Sequence, residues 1–206
     1  MTTLKNPILR TFALLFITSS FFLTACIQDD AAVPANGDFG IFRSIDATTV
    51  EMAGVIDSYT LDDFNYLIEV YPNIEQINMN NVPGSEDDEI NLQVAKKVHD
   101  LGIDIHLMDN AEIASGGVDF FLAGEDRTMG SNTRFGVHSW ADGRNEATDF
   151  PVGHAEHQPY IDFFMAVGFT RQQAEDFYYF TINVASADDI HWMTDAEILK
   201  YGFITK

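Results

Sequence analysis

A serine between small residues and a histidine further along the chain are the residues best suited to chemistry in this sequence. Ser115 lies in the segment EIASGGVDFFLAG, and His138 follows 23 residues later. Serine and histidine can act as nucleophile and general base, because the imidazole accepts the hydroxyl proton while the oxygen attacks a carbonyl. Gly116 and Gly117 carry no side chains, so a substrate carbonyl could approach this backbone closely. The pattern therefore indicates acyl transfer as one interpretation.

The same serine has a structural interpretation. Ser115 follows a strand-like segment and precedes an apolar run, a position where serine commonly caps a helix. The free N–H groups of a helix N-terminus can also stabilise an oxyanion, so one location serves both roles. Composition alone favours the helix cap, but the residues do not exclude a nucleophile, so both interpretations stay open.

The N-terminus predicts export. Lys5 and Arg10 precede the apolar run TFALLFITSSFFL, which is typical of a signal peptide. The run ends in LTAC, Leu23 to Cys26, which resembles the lipobox of bacterial lipoproteins, and Cys26 is the only cysteine. We therefore predict a signal peptide over residues 1–25, a lipid anchor on Cys26, a flexible tether over 26–38 and one α/β domain over 39–206. An ordinary secretory signal with an incidental cysteine is the alternative.

The predicted location is the cell envelope, with the protein facing the periplasm. Ile27 follows the predicted lipidated cysteine, and by resemblance to the enterobacterial sorting rule this favours the outer membrane over the inner one. The lipid bilayer is then a partner through the Cys26 anchor.

Charge and cysteine content exclude several classes of function. The net charge of −21 repels nucleic acid, so we predict no nucleic-acid partner. With its one cysteine assigned to the anchor, the chain has none left for disulfides, zinc thiolates or thiol catalysis. His154, Glu156 and His157 are too weak a pattern for a metal site, and we predict neither metal nor cofactor.

Strands and helices alternate along the rest of the chain. Apolar periodicity and capping residues identify them. The predicted strands are Val50–Ile56, Ile77–Val82 and Ile103–Met108. Three predicted helices are capped by Thr60, by Ser85 and by Thr194, the last with Glu197 as its capping box. Two more lie around Glu156–Val167 and Arg171–Tyr179. This alternation predicts an α/β core with largely parallel pairing.

Three ordered motifs resemble the proteolytic subunit of the Clp protease and its wider Clp/crotonase superfamily. They are NVPGSEDD (Asn81–Asp88), ASGGVDFFLAG (Ala114–Gly124) and RTMGSNTRFGVH (Arg127–His138). The resemblance runs from about Val50 to His138 and is nearest to an exported lipoprotein branch. It implies a Clp/crotonase-like α/β fold, built from repeated strand-strand-helix units with a mostly parallel sheet.

The resemblance also implies roles for individual residues. Ser115 matches the nucleophile and His138 the general base, while the backbone N–H groups of Ser85 and Gly116 match the oxyanion donors. The family spacing, counted back from the last motif, places the third triad residue at Ile190, which is not an acid. We predict that the adjacent Asp189 takes this role, rather than Asp188, and a Ser–His dyad is the alternative.

The predicted function is a serine hydrolase, a peptidase of the Clp-protease-like type, that works through an acyl-enzyme. Its substrate would be a peptide or a small acyl compound, and a homo-oligomer is left open. The alternative is a non-catalytic binding or assembly module that retains the fold. A crotonase-like acyl-CoA enzyme is the least favoured, because an exported protein does not normally meet that cofactor.

Overall fold

The structure is a computed structural model that describes residues 37–206. The predicted signal peptide, Cys26 and nearly all of the predicted tether lie outside the described residues. The first described strand begins at Asp38, next to the predicted start of the domain.

Nine strands are described, in two sheets. They are β1 (Asp38–Phe39), β2 (Phe42–Ser44), β3 (Thr49–Met52), β4 (Gln76–Met79), β5 (Asp104–Leu107), β6 (Glu112–Ala114), β7 (Arg127–Met129), β8 (Arg134–Val137) and β9 (His191–Trp192). The larger sheet has the order β1-β2-β3-β4-β5-β7, and the smaller has the order β6-β8-β9.

The larger sheet is mostly parallel. Strands β3, β4, β5 and β7 are parallel to one another, and the antiparallel strands β2 and β1 extend the sheet beyond β3. Parallel neighbours need a crossover, and helices supply the connections from β3 to β4 and from β4 to β5. The predicted α/β class with a mostly parallel sheet is confirmed.

The smaller sheet forms a second layer of pairing at the ends of the main strands. Strand β6 is parallel to β8, and β9 is antiparallel to β8. Isolated parallel bridges continue this layer, joining Ile56 to Ser85 and Val82 to Ile113. Each main strand is thus followed by a short second pairing before its helix, as in the predicted strand-strand-helix units.

Six α-helices are described. They are α1 (Thr60–Val70), α2 (Asp88–Asp100), α3 (Gly116–Leu122), α4 (Gln158–Ala166), α5 (Arg171–Val184) and α6 (Asp195–Lys200). None of the helices between residues 37 and 206 is long and apolar enough to cross a membrane.

Helix α2 starts later than its sequence predicts. Ser85 was the expected cap, but Asp87 is the N-cap and its carboxylate accepts a hydrogen bond from the Ile90 N–H. Ser85 instead pairs with Ile56, and its hydroxyl group donates a hydrogen bond to the Asp88 carboxylate. Aspartate and serine are equally good N-caps, so cap preference does not choose between Ser85 and Asp87. The pairing of Ser85 with Ile56 keeps Ser85 out of the helix and thereby decides where the helix begins.

The core packs the apolar face of α3 against both sheets. Phe120, Phe121 and Leu122 on α3 are fully buried, and Phe121 lies edge-on to Phe135 of β8 with ring centroids 5.0 Å apart. Side chains of this size contribute about 2 kcal/mol each on burial. The helix that begins immediately after Ser115 is therefore held firmly in place.

Candidate functional site

Ser115 has a backbone conformation that is unfavourable for a residue with a side chain. Its φ is 51° and its ψ is −130°, and its side chain forms no capping hydrogen bond to α3. Such a conformation costs about 1–3 kcal/mol outside glycine and persists only where the surroundings impose it. A strained strand-to-helix turn of this kind exposes the nucleophilic serine in many hydrolases. The capping interpretation of Ser115 is therefore wrong.

Backbone hydrogen bonds on both sides hold this turn. The Ser115 N–H donates to the Gly136 carbonyl of β8 at 2.9 Å, which continues the pairing of β6 with β8. The Ser115 carbonyl accepts from the Val118 N–H at 2.8 Å, which begins α3. The strand and the helix thus fix the backbone of Ser115 and leave its side chain free.

Glycines allow a second segment to approach the serine. A Cβ atom on Gly84 would lie 3.1 Å from the Ser115 Cβ, and Gly84 has a φ of 145°. A Cβ on Gly116 would collide with the Ser85 hydroxyl, and one on Gly117 would lie 2.6 Å from the Val82 carbonyl oxygen. The first turn of α3 therefore packs directly on the backbone that precedes α2.

This close approach places two N–H groups beside Ser115. Gly116 is the first residue of α3, so its N–H has no partner within the helix. No hydrogen bond from the N–H of Ser85 or of Gly116 is found within the described part of the chain. Two backbone donors near a nucleophile could stabilise the negative oxygen of a tetrahedral intermediate, as predicted for Ser85 and Gly116.

Ser115 and His138 line the same cavity. Its wall also includes Gly116, Asp119 and Trp140. No hydrogen bond joins the Ser115 hydroxyl to the His138 ring in the described structure, and such bonds often tighten only when substrate is bound. The structure thus brings together the predicted nucleophile, the predicted base and the predicted donor Gly116.

His138 follows directly after β8, which places its ring at this cavity. Its Nδ1 atom is buried and has no hydrogen-bond partner within residues 37–206. Its Nε2 atom also forms no hydrogen bond within residues 37–206, but it is not fully buried. Nε2 is therefore the nitrogen available to a substrate or to Ser115. A buried ring nitrogen without a partner lacks the group that normally fixes the tautomer of a catalytic histidine.

The residue opposite His138 is apolar. Gly136 pairs with Trp192 and Val137 with His191, so one further step of the antiparallel register sets His138 opposite Ile190. This is the position that the family spacing assigns to the third triad residue. Asp189 is exposed, its carboxylate accepts from the Ile190 N–H at 2.8 Å, and it is not part of the cavity wall. Asp189 as the third residue stays a prediction.

Asp88 links the Ser85 segment to α4. One carboxylate oxygen accepts from the Ser85 hydroxyl, and the other accepts from the Tyr160 hydroxyl at 2.6 Å. Burial and the neighbouring Asp88 raise the pKa of Tyr160, so it remains a neutral donor. This network ties the loop that carries one predicted oxyanion donor to a helix on the far side of the cavity.

The cavity contains an acid that the sequence did not identify as functional. Asp119 lies in the first turn of α3, four residues after Ser115, and is half-buried. Burial and the nearby Asp88 raise the pKa of Asp119 to about 8. An isolated aspartate inside an apolar run was the one available signal, because such runs rarely contain a charge without a reason.

The histidines of the weak metal pattern have other roles. The Nδ1 atom of His157 lies 2.7 Å from the Tyr178 hydroxyl, and its Nε2 lies 3.3 Å from the Phe150 carbonyl. His154 stacks on the Phe150 ring with centroids 4.7 Å apart. No cluster of three or more potential ligand side chains that could hold a metal occurs in residues 37–206.

Comparisons with known proteins identify the fold. No protein-family model matches the chain, and no curated protein matches it. Among solved structures, it is similar to a mutant of the membrane-bound stomatin-specific protease 1510-N, from Pyrococcus horikoshii, in complex with a substrate peptide. The identity is 22% and the TM-score 0.50, over 76% of this chain and 72% of that one.

A second similar structure is the catalytic domain of the ClpP protease from Plasmodium falciparum. The identity is 17% and the TM-score 0.50, over 77% of this chain and 82% of that one. At such identities the likeness concerns the fold and not the activity. Together with the mostly parallel sheet and its second layer of short pairings, these neighbours show that the chain has a Clp-protease-like fold.

Proposed function

We propose that this protein is a serine hydrolase that cleaves peptides or related acyl substrates through an acyl-enzyme. The observation that carries the proposal is the Ser115 turn. The serine is held in a strained conformation, it does not cap the helix that follows, and it lines one cavity with His138. A structural serine has no need of that strain, whereas a nucleophile benefits from being exposed at a helix N-terminus.

The proposed reaction has two steps. The Ser115 oxygen attacks the substrate carbonyl, and its proton passes to His138, which returns it to the leaving amine as the C–N bond breaks. Water then attacks the acyl carbonyl and gives one proton to His138. As the ester bond to Ser115 breaks, His138 returns that proton to the Ser115 oxygen, and the free acid is released. The N–H groups of Ser85 and Gly116 stabilise the oxyanion in both steps.

Asp189 belongs to the proposal as the residue that orients His138. It precedes Ile190, the residue opposite His138, and the buried Nδ1 atom of that histidine has no other partner within the described residues. A shift of the turn at residues 186–190 would be needed to turn the Asp189 carboxylate toward the ring.

Export and lipid anchoring complete the proposal. The lipobox-like LTAC sequence supports a lipid on Cys26, and Ile27 favours the outer membrane, with the domain facing the periplasm. The tether over residues 26–38 would then separate the hydrolase from the bilayer.

The rate of labelling by a fluorophosphonate probe tests the hydrolase proposal. The wild-type domain is expected to be labelled, and Ser115→Ala is expected to abolish the labelling. His138→Gln, which retains a polar side chain of similar size, is expected to slow it by roughly 10²-fold or more. A folded wild-type domain that resists the probe would overturn the proposal.

One observation favours a second candidate, a binding or assembly module without catalysis. The apolar Ile190 stands opposite His138, and the Nδ1 atom of that histidine has no partner within residues 37–206. A site released from selection for turnover would tolerate both features. The labelling experiment separates the two candidates, because a binding module has no reactive Ser115.

A further inference from the structure

Asp119 is a carboxylate without a counterion in the cavity of the proposed hydrolase. Its side chain forms neither a hydrogen bond nor an ion pair within residues 37–206, and no lysine or arginine of the described chain lines the cavity. Asp88 also lines the cavity, but its two oxygens are already engaged by Ser85 and Tyr160. Asp119 is thus the one acid in the wall whose oxygens are available to a ligand.

The rest of the wall suits an alkyl chain that ends in a cation. Val118, Val137 and Ile182 supply apolar contacts for methylene groups. Trp140 and Tyr160, whose rings stack on each other, add further apolar surface to the wall. The volume is about 40 Å³, which is more than a single water needs.

We propose, resting on the function proposed above, that the Ser115 cavity selects substrates with a lysine-like side chain, an unbranched alkyl chain ending in a primary ammonium, and that Asp119 is the specificity-determining residue. The ammonium supplies the positive charge that the Asp88–Asp119 pair lacks. Its protons are donated to the free oxygens of Asp119, while its methylene groups replace water along the apolar wall.

The pH dependence of this selection follows from the groups around Asp119. Asp88 faces it from α2, Tyr160 from α4, Tyr178 from α5 and His138 from the end of β8. The raised pKa of Asp119 keeps it largely neutral at pH 6 and ionised at pH 9. Because a cation is held by the ionised form, selection for the ammonium should strengthen as the pH rises through about 8.

A pair of matched covalent probes tests the inference. Diphenyl phosphonates of Nα-acetyl-lysine and Nα-acetyl-norleucine have side chains of similar length, and only the lysine carries a charge. Attack by the Ser115 oxygen forms an O–P bond and releases phenol, which takes the serine proton through His138. The ratio of the two labelling rates cancels the titration of His138, since both probes need that base equally.

We expect the wild-type domain to react with the lysine probe roughly 10- to 100-fold faster than with the norleucine probe, with the ratio rising from pH 6 to pH 9. Asp119→Asn, which keeps the size of the side chain, should bring the ratio close to one, because it removes the charge that distinguishes the two probes. Glu89→Gln removes an exposed acid of α2 that does not line this cavity, and it should leave the ratio as in the wild type.

Each other outcome identifies what fails. Equal rates for the two probes in the wild type, or a preference that survives Asp119→Asn, overturn the inference and leave the hydrolase intact. Labelling by a simple fluorophosphonate but by neither phosphonate also overturns it. No labelling by any probe overturns the proposed function and this inference together. If Asp119→Asn does not fold, the ratio of lysine to norleucine labelling in the wild type, and its change with pH, still test the inference.

Discussion

Among single residues, the most informative feature is the backbone conformation of Ser115. Its conformation is one that glycine adopts freely and that other residues adopt at a cost. The hydrogen bonds to Gly136 and Val118 impose it, so the strain is stabilised by the strand and the helix rather than by the serine. A residue that stores strain and makes no capping bond is best explained by what its side chain does in the cavity.

The strain predicts an unusual order of stability among Ser115 variants. Ser115→Gly and Ser115→Ala both remove the hydroxyl, but only glycine relieves the strain of the positive φ. We expect the free energy of unfolding of Ser115→Gly to exceed that of Ser115→Ala by about 1 kcal/mol, after the entropy cost of glycine. Urea denaturation followed by tryptophan fluorescence measures the difference, and a less stable glycine variant would contradict the strained conformation.

Asp119 predicts a stability that changes with pH. Its pKa is raised in the folded state to about 8, whereas an aspartate in the unfolded chain titrates near 3.9. Between these values the folded state binds the extra proton, so the stability of the wild type relative to Asp119→Asn falls as the pH rises from about 4 and levels off above about 8.

Denaturation midpoints of the wild type and of Asp119→Asn between pH 5 and pH 9 measure this effect. The difference between the two proteins is the informative quantity, because the general repulsion of a chain with net charge −21 is nearly common to both. Glu89→Gln is the control for loss of an exposed acid. A difference between wild type and Asp119→Asn that does not vary with pH would show that Asp119 is not held in a desolvated site.

At the level of strands and helices, the pairing of β8 with β9 determines which residue faces His138. The register places Ile190 opposite His138 and turns the adjacent Asp189 to solvent. A two-residue strand such as β9 is held by few hydrogen bonds, so the turn before it is the part of the site most able to shift.

The proposed role of Asp189 predicts a rate effect. Asp189→Asn should slow acylation of Ser115 by roughly 10²–10⁴-fold without unfolding the protein, while the matched Asp188→Asn should change it little. Ile190→Asp, added to Asp189→Asn, should recover part of the rate because it sets a carboxylate directly opposite His138. If Asp189→Asn acylates as fast as the wild type, the site is a Ser–His dyad and Asp189 has no part in it.

Local sequence patterns predict most of the described helices and strands, whereas the cavity wall depends on contacts between distant elements. Periodicity and capping residues predict three of the parallel strands, β3, β4 and β5, and five of the helices, since local patterns stabilise these elements. The capping box of Thr194 and Glu197 at α6 is confirmed. The predicted caps Thr60 and Ser85 are wrong, because Tyr59 and Asp87 occupy the N-cap positions of α1 and α2. Pairing with Ile56 is a long-range contact that no local pattern encodes.

The cavity wall could not be predicted for the same reason. Asp119 is on α3, its neighbour Asp88 on α2 and Tyr160 on α4, and only the fold brings these elements together. The backbone angles of Ser115 could not be predicted either. A serine before an apolar run has the same sequence pattern whether its side chain caps the helix or faces a cavity.

At the scale of the whole molecule, the proposed lipid anchor would fix where the hydrolase acts. Cys26 and the predicted tether precede the described domain, which has a complete buried core of its own. A domain with its own core remains folded when its anchor is removed, so location and activity should be separable.

Cys26→Ser tests this separation. In a bacterial host the wild type is expected in the membrane fraction and labelled by an alkyne fatty acid, and Cys26→Ser should lose both properties while a purified domain from residue 37 keeps its reactivity with fluorophosphonate. Ser20→Ala is a control substitution in the leader that preserves the cysteine. Membrane association of Cys26→Ser equal to that of the wild type would contradict the anchor.

The proposed role of Ser115 as the nucleophile is tested by locating a covalent adduct on the chain. The domain is treated with a fluorophosphonate, digested and analysed by peptide mass spectrometry. The structure predicts one modified peptide that carries the adduct on Ser115, and no adduct in the Ser115→Ala variant. An adduct on another residue, or an unmodified Ser115 in a folded domain after prolonged exposure, would contradict the proposal that Ser115 is the nucleophile.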